Sequence, residues 1–339
     1  MPGDPVLLVT GATGLVMSHV ARCWLEAHPE GRAVAVDLNP PDAVVAAFLQ
    51  PVLERLEVRV GDVRDAALWD GIAGDVSVSH LVHGAAVTSI NRMTLQEDGS
   101  ADLAGALPAL DVNIMGTLRM LAWAARQPKL ARCVTVSSGS VYPSEGPSPL
   151  PEDVRAEPDG LYGISKYVGE LYTAQAARQF DLPALAVRLS GVYGPLDRDT
   201  SVRSVRSVPG TLLRAALAGE ELRLSGLEAR GDYIQAGDVG RAVAALLDCA
   251  SPSHAAYNIA YGKTASLREL ADLVARLVPG ATWREAGPEE AHLALEARPA
   301  GGRWGAYDIS RLEDACGWRP RPLEEALAEY RDWLRTYPY

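Results

Sequence analysis

The chain has 339 residues, of which 48% are hydrophobic and 22% are charged, and its formal net charge is −11 at neutral pH. This composition is ordinary for a globular protein, and the negative charge argues against a nucleic-acid-binding surface. No apolar run approaches the roughly 20 residues that a membrane-spanning helix needs, and the N-terminus lacks the basic start of a signal peptide, so we expect a cytoplasmic protein without membrane contact.

The first half of the chain alternates short apolar runs with helical patterns, which is typical of a parallel sheet covered by helices on both faces. The predicted strands are 5–10, 32–38, 56–60, 80–83, 132–137 and 183–189. The predicted helices between them are 15–28, 40–53, 65–71, 111–126 and 162–180.

The pattern changes after Gly191. Residues 194–210 are rich in Pro, Ser, Arg and Asp and are predicted to form a long loop. The predicted elements that follow are helices at 211–218, 238–247, 266–277, 310–316 and 323–334, with short strands at 221–224, 256–259 and 282–284.

These elements predict an α/β protein with a Rossmann-type doubly wound parallel sheet and a smaller mixed α/β C-terminal region. We assign residues 1–190 to a dinucleotide-binding domain, to which 232–260 return. The substrate-binding region then comprises 191–231 and 261–339.

The turn after the first strand has the glycine spacing of a dinucleotide site. Gly11 and Gly14 allow a tight turn and a close backbone approach to a pyrophosphate, which the N-terminus of the next helix attracts. A third small residue usually follows, but this chain has Met17, so we expect the helix to stand slightly off the strand.

Two acids end neighbouring strands. Asp37 can accept hydrogen bonds from an adenosine ribose and would repel a 2′-phosphate, and no arginine follows it, so we predict NAD rather than NADP. Asp62 and Val63 are placed to reach the adenine. The alternative for each acid is a simple cap of the following helix.

One of only three lysines stands four residues after a tyrosine. On a helix these positions face the same way, so Lys166 can lie beside the Tyr162 phenol and favour its anion. The phenol then becomes usable as an acid or base. The alternative is an amphipathic helix with an incidental Tyr/Lys pair.

The four cysteines are widely spaced and form no CxxC motif or Cys/His cluster. We therefore expect reduced thiols and no metal site.

Together the motifs resemble the extended short-chain dehydrogenase/reductase family, also called the NAD-dependent epimerase/dehydratase family, over nearly the whole chain. Besides the residues above, the resemblance rests on segments 83–86, 111–117, 137–142, 192–195, 232–239, 257–260 and 308–318.

The resemblance implies a catalytic triad of Ser138, Tyr162 and Lys166. Tyr162 is the general acid/base, Lys166 lowers its pKa and holds the nicotinamide ribose, and Ser138 orients the substrate oxygen. His83 is interpreted as structural. The cofactor-binding residues implied are Gly11, Thr13, Gly14, Leu15, Val16, Asp37, Asp62, Val63, Ala85, Ala86, Asn113, Tyr162, Lys166, Leu189 and Val192.

The resemblance also implies a homodimer in which helices 111–126 and 162–180 pack against their two-fold mates. Apolar residues at helical spacing agree with such a face, unless they serve only the chain's own core. These residues are Leu118, Leu121, Leu171 and Ala174.

Four positions depart from the nucleotide-sugar enzymes of the family. Gly191 and Gly231 stand where epimerases often carry an asparagine and an arginine that contact the diphosphate. Gly139 and Ser140 replace the Asp-Glu pair of dehydratases, so we expect no elimination of water.

The candidate substrate contacts are Thr88, Ser140, Arg198, Arg203 and Arg206. The arginines either bind an anionic substrate group or lie in water beside Asp197 and Asp199.

We therefore predict an NAD-dependent oxidoreductase or epimerase acting at a hydroxyl or carbonyl of a small polar substrate, sugar-like or a hydroxy acid. Two alternatives stay open. One is a nucleotide-sugar 4-epimerase with tightly held NAD, and the other is a non-catalytic NAD-binding regulatory protein.

Overall fold

A computed structural model describes residues 4–88, 94–95, 101–102, 106–200 and 206–338. The strands are β1 Val6–Thr10, β2 Arg32–Asp37, β3 Leu56–Val60, β4 His80–His83, β5 Thr94–Leu95, β6 Ala101–Asp102, β7 Arg132–Ser138, β8 Ala184–Leu189, β9 Gly191–Tyr193, β10 Leu222–Ser225, β11 Arg230–Gln235, β12 Ala256–Ile259, β13 Thr264–Ser266, β14 Trp283–Glu285 and β15 Leu293–Ala294. The helices are α1 Leu15–Ala27, α2 Ala43–Leu49, α3 Ala66–Asp75, α4 Leu107–Leu110, α5 Thr117–Ala124, α6 Leu161–Phe180, α7 Val208–Leu217, α8 Ala236–Asp248, α9 Leu267–Leu277, α10 Ser310–Cys316 and α11 Leu323–Thr336.

Seven parallel strands form the central sheet in the order β12-β8-β7-β4-β1-β2-β3. Along β1 the side chains alternate between two cores: Leu7 and Val9 pack on the α1/α8 side, whereas Val6 and Leu8 pack on the α3/α5 side. Both faces are therefore covered, which confirms the predicted doubly wound α/β fold.

The strand order reverses between β1 and β4, which lie side by side although they are far apart in sequence. In open α/β sheets, ligands bind at the carboxyl ends of the strands next to such a reversal. The predicted glycine turn follows β1 and the predicted Ser138 ends β7, so the fold brings both to this edge.

The C-terminal region adds smaller sheets. β11 pairs with β9 in parallel and with β13 antiparallel, and β10 pairs with β14 and β15. A second core under these strands includes Leu212, Leu270 and Leu327. The assignment of residue ranges to two domains stays an interpretation.

Two predicted helices are divided. The run at 40–53 becomes α2 and a 3-10 segment, Gln50–Arg55, because Asp42 caps the N–H groups of Val44 and Val45 and Pro51 lacks a donor for a continuing helix. The run at 111–126 contains a π-helical segment, Asp111–Gly116, between α4 and α5.

Other differences come from short elements. α7 begins at Val208, inside the predicted loop, because Pro209 is tolerated in the first turn of a helix. The strands β9, β11 and β13 were not predicted. Each has only a few residues, and what makes them strands is their pairing with one another, which no local pattern shows.

Within the described residues, none of the helices combines the length and the apolar character that crossing a bilayer requires. The same residues contain no group of three or more His, Cys, Asp or Glu side chains suited to a metal ion.

The outer faces of α6 and the neighbouring π-helical segment carry exposed apolar side chains, namely Met115, Ile164, Leu171 and Phe180. Leu171 is 51% exposed, whereas Leu121, another residue named for the dimer face, is 4% exposed and belongs to the chain's own core. The homodimer itself stays a prediction.

We predict that Leu171→Glu shifts a homodimer to a monomer, as measured by light scattering at micromolar concentration. In the predicted dimer the second chain covers this apolar patch, so the glutamate charge would be buried in the interface. Leu53→Glu is the matched control, since Leu53 is 41% exposed on a different surface. A wild-type monomer would contradict the predicted assembly.

Candidate active site

Gly11 makes the turn after β1 possible. Its φ of +72° lies in the left-handed region, and an added Cβ would come within 2.8 Å of the Ala85 backbone nitrogen. The turn therefore presses against the chain that leaves β4. Gly14 is the N-cap of α1, so the free N–H groups of that helix point toward this turn.

The Asp37 carboxylate braces the same turn. Its Oδ2 accepts the Thr13 N–H at 3.0 Å, and its Oδ1 accepts the Asn39 N–H at 3.3 Å. The side chain is half-buried at the end of β2. It is thus held beside the glycine turn, where an adenosine ribose could also donate to it.

Met17 packs into the space above Gly84. Met17 is buried, and a Cβ on Gly84 would lie 2.3 Å from its Sδ. The large Met17 side chain at the third position of the glycine motif therefore fits because Gly84, after β4, has no side chain. The expectation that α1 stands off the strand stays a prediction.

Asp62 is paired at the end of β3. Arg64 Nη2 donates to it at 2.7 Å and Nη1 donates to Asp111 at 2.9 Å, and the Arg64 guanidinium lowers the pKa of Asp62. Val63 is buried beneath Gly116. Their contact with adenine stays a prediction, as do the contacts of Leu15, Val16, Ala86, Leu189 and Val192.

Asn113 and His83 hold the backbone behind the site. Asn113 Oδ1 accepts the Val87 N–H at 2.8 Å, and its Nδ2 donates to Val87 O at 3.1 Å and Ser165 Oγ at 3.0 Å. His83 lies between the hydroxyls of Thr10, at 2.7 Å, and Thr117, at 3.2 Å. Burial lowers the pKa of His83 to about 3, so it is neutral, which agrees with a structural role.

Ser138 and Tyr162 line one pocket of about 360 Å³. Ser138 ends β7, and its Oγ accepts the Ser140 N–H at 3.1 Å, which fixes the turn that follows. Tyr162 lies in the first turn of α6. The pocket is also lined by Gly139, Ser140, Asp159, Gly160, Gly163, Leu189, Ser190, Gly191, Arg303, Trp304 and Tyr307.

Lys166 follows Tyr162 by one turn of α6 and lines a small neighbouring cavity with Asn113 and Ser165. Burial lowers its pKa to about 8, and the Glu170 carboxylate, one turn further, opposes the shift. The Glu170 carboxylate thus favours the ammonium form of Lys166, which is the form that the predicted role beside a phenol would use.

Sequence reasoning missed the buried ion pair of Glu170 and Arg188. The Arg188 guanidinium binds both carboxylate oxygens, with Nη2 at 2.7 Å, and Glu170 also accepts the Ser137 hydroxyl at 2.5 Å. The pair ties α6 to β7 and β8 next to Ser138. Its signal in the sequence was Glu170 four residues after Lys166.

Asp232 was noted only as part of a motif, but its buried carboxylate joins several segments. It accepts Ser190 Oγ at 2.8 Å, the N–H groups of Tyr261 at 2.8 Å and Gly262 at 2.9 Å, and that of Tyr307 at 3.2 Å. Burial raises its pKa to about 6, and the four donors pull in the opposite direction.

Two of the three predicted substrate arginines pair with the chain's own carboxylates. Arg198 binds Asp42, the cap of α2, and Arg206 lies 3.0 Å from Asp199. Arg203 lies outside the described residues, and Thr88 is exposed beside such a gap. Their contact with substrate stays a prediction. Among the residues that the structure describes, the arginine that lines the pocket is Arg303, which sequence reasoning did not single out.

Residues 7–260 match the model of the NAD dependent epimerase/dehydratase family, and the chain belongs to this family. It is 30% identical to a dTDP-4-dehydro-6-deoxy-D-allose reductase of Streptomyces bikiniensis, over 98% of this chain and 96% of that protein. It is 28% identical to a UDP-glucose 4-epimerase of Mycolicibacterium smegmatis, over 97% and 98% of the two chains. A dTDP-glucose 4,6-dehydratase of Bacillus anthracis, solved in complex with NAD, shares the fold with a TM-score of 0.78 at 20% identity, over 99% of this chain and 98% of that one.

The family membership confirms the predicted resemblance and the class of NAD-dependent enzymes. NAD is the cofactor of the family, and the glycine turn, the N-terminus of α1 and Asp37 fit its pyrophosphate and ribose.

We predict that NAD binds more tightly than NADP by roughly tenfold or more, because the Asp37 carboxylate would face the 2′-phosphate and like charges repel. Dissociation constants for the two cofactors test this. Asp37→Asn should narrow the difference, whereas Asp70→Asn, an exposed position on α3, should not. Equal affinities in the wild type would refute the ribose assignment.

We predict that Tyr162→Phe lowers kcat by about 10²–10⁴-fold, because the proton donor and acceptor is lost, while the dissociation constant for NAD is unchanged. Tyr172→Phe is the control, since Tyr172 lies on the same helix and packs against the core on the α3/α5 side of the sheet. Near-normal turnover of the Tyr162→Phe enzyme would remove the proposed role of the phenol.

Proposed function

We propose that this enzyme transfers a hydride at C4 of a nucleotide-linked hexose, as a 4-ketoreductase or a 4-epimerase. One observation carries this proposal: Ser138 and Tyr162 line the same pocket at the carboxyl edge of the sheet, with Lys166 one helical turn behind Tyr162. The relatives named above supply the substrate class, since they act on dTDP- and UDP-linked hexoses.

Each side chain then has a chemical role. The Tyr162 phenol gives a proton to the substrate carbonyl oxygen or takes one from the hydroxyl, and the Ser138 hydroxyl orients the same oxygen. The Lys166 ammonium favours the phenolate. NAD, when bound, accepts or supplies the hydride.

The wall of the pocket argues against dehydration. Gly139 and Ser140 have no acidic group, and a Cβ on Gly139 would lie 1.7 Å from the Tyr307 hydroxyl. Tyr307 therefore fills the space that an aspartate at position 139 would need. Without an acid and a base at these positions, oxidoreduction at C4 is not followed by loss of water.

A second candidate keeps the chemistry but uses a small polar sugar or hydroxy acid without a nucleotide. The Tyr233 ring favours it, because a Cβ on Gly231 would lie 2.8 Å from that ring and a Cβ on Gly191 would lie 3.2 Å from it. The ring thus crowds the two positions at which the resemblance implies diphosphate contacts in nucleotide-sugar enzymes of the family. We place the enzyme in the cytoplasm, in agreement with four free cysteines.

A substrate panel tests the proposal. A dTDP-4-keto-6-deoxyhexose should oxidise NADH, or UDP-glucose should be converted to its C4 epimer with NAD present, and dTDP-glucose should lose no water by mass spectrometry. Turnover of free sugars or hydroxy acids alone would favour the second candidate. Absence of turnover with every substrate, despite tight NAD binding, would favour the non-catalytic alternative.

A further inference from the structure

Two oppositely charged side chains belong to the wall of the pocket that Ser138 and Tyr162 line. Arg303 binds Asp159 with two parallel hydrogen bonds, Nη1 to Oδ1 at 2.6 Å and Nη2 to Oδ2 at 2.7 Å. Asp159 precedes Tyr162 by three residues, so the pair lies next to the proposed proton donor. Neither residue was among the candidates that the sequence suggested.

The surrounding backbone holds Arg303 in this position. The Arg303 N–H donates to Pro143 O at 3.0 Å, and the Gly302 N–H donates to Pro147 O at 3.1 Å. The two backbone segments pack so closely that a Cβ added to Gly301 would lie only 2.0 Å from the carbonyl oxygen of Gly146. The segment around residues 301–307 is thus fastened along the loop that begins at Pro143.

Two aromatic side chains complete the support. The Tyr307 hydroxyl donates to the Arg303 carbonyl at 3.2 Å, and the Arg303 guanidinium lies 5.0 Å from the centre of the Trp304 ring. Arg303 is only 18% exposed, whereas Asp159 is 59% exposed. The carboxylate and the ring hold the guanidinium, and the hydrogen bonds of its backbone hold the main chain of Arg303. The guanidinium is therefore fixed in position before a ligand binds.

We propose that Asp159 and Arg303 recognise neighbouring hydroxyl groups of the hexose. This inference rests on the proposed function and names residues that select its sugar. A carboxylate accepts hydrogen bonds and a guanidinium only donates, so the pair offers both kinds of partner side by side. Each terminal nitrogen of an arginine also carries a second N–H beyond the one used in a paired contact.

The charge of the pair sets the kind of group it takes. Because the two charges compensate each other, the pair gives no strong preference for an anion, unlike an uncompensated arginine. A hydroxyl, which both donates and accepts, is suited to such a site. The diphosphate of the substrate is therefore expected to bind elsewhere.

Binding measurements on the NAD-loaded enzyme test the inference, with UDP-glucose, dTDP-glucose and the corresponding UDP and dTDP as probes. Arg303→Ala and Asp159→Asn should each raise the dissociation constant for the preferred nucleotide sugar by roughly tenfold or more, as expected for hydrogen bonds to charged groups. The dissociation constant for the nucleoside diphosphate without the sugar should stay the same. The double variant should lose less than the sum of the two single effects, because the side chains act as a unit.

Arg331→Ala is the matched control, because Arg331 pairs with Asp332 through two hydrogen bonds and the two side chains have nearly the same exposures, 19% and 59%. It should leave both dissociation constants unchanged. NAD affinity and the melting temperature of each variant show whether it folds, and Asp159→Asn keeps the side-chain volume if Arg303→Ala does not fold.

The outcomes separate the inference from the proposed function. Unchanged sugar binding in both variants would mean that the pair only braces the loop. Equal losses for the nucleotide sugar and the nucleoside diphosphate would mean that Arg303 binds phosphate. Either result overturns the inference, while a wild-type enzyme that neither binds nor converts any nucleotide sugar overturns the proposed function itself.

Discussion

The Asp232 carboxylate is the contact on which the shape of the pocket depends. It is fully enclosed and receives hydrogen bonds from the segments that follow β8 and β12 and from the backbone of Tyr307. A buried carboxylate without such donors would cost several kcal/mol. These hydrogen bonds therefore hold the segments together at Asp232. They fix the backbone of Tyr307, which lines the pocket at the edge of the sheet together with Arg303.

Several glycines lie directly against large side chains. Tyr307 occupies the space above Gly139, the Tyr233 ring covers Gly191 and Gly231, and Met17 fills the space above Gly84. Protein interiors are close-packed, so replacing one of these glycines by a larger residue requires the neighbouring large side chain to move. At each of these glycines, a larger side chain thus crowds the space that a side chain at that position would need.

The charges around the proposed catalytic residues are also arranged in pairs. Glu170 is bound by Arg188, and both are nearly inaccessible to solvent. A buried pair of this kind is costly when one partner is lost, so it fixes the relative positions of α6, β7 and β8. Because Lys166 and Tyr162 lie on the same helix, the pair also holds them against the strand that carries Ser138.

The sequence by itself determined the local features. The sequence pattern predicted all seven strands of the central sheet within one residue, and the glycine turn and the Tyr162/Lys166 spacing indicated the family. These features can be predicted from the sequence because each depends on residues a few positions apart. The tertiary structure alone decided which side chains form the pocket wall: Arg303 reaches Asp159, and Tyr307 reaches Gly139, across more than a hundred residues. It likewise placed Arg198 on Asp42. Such contacts depend on where separate segments are held by hydrogen bonds and packing, and no local pattern encodes that.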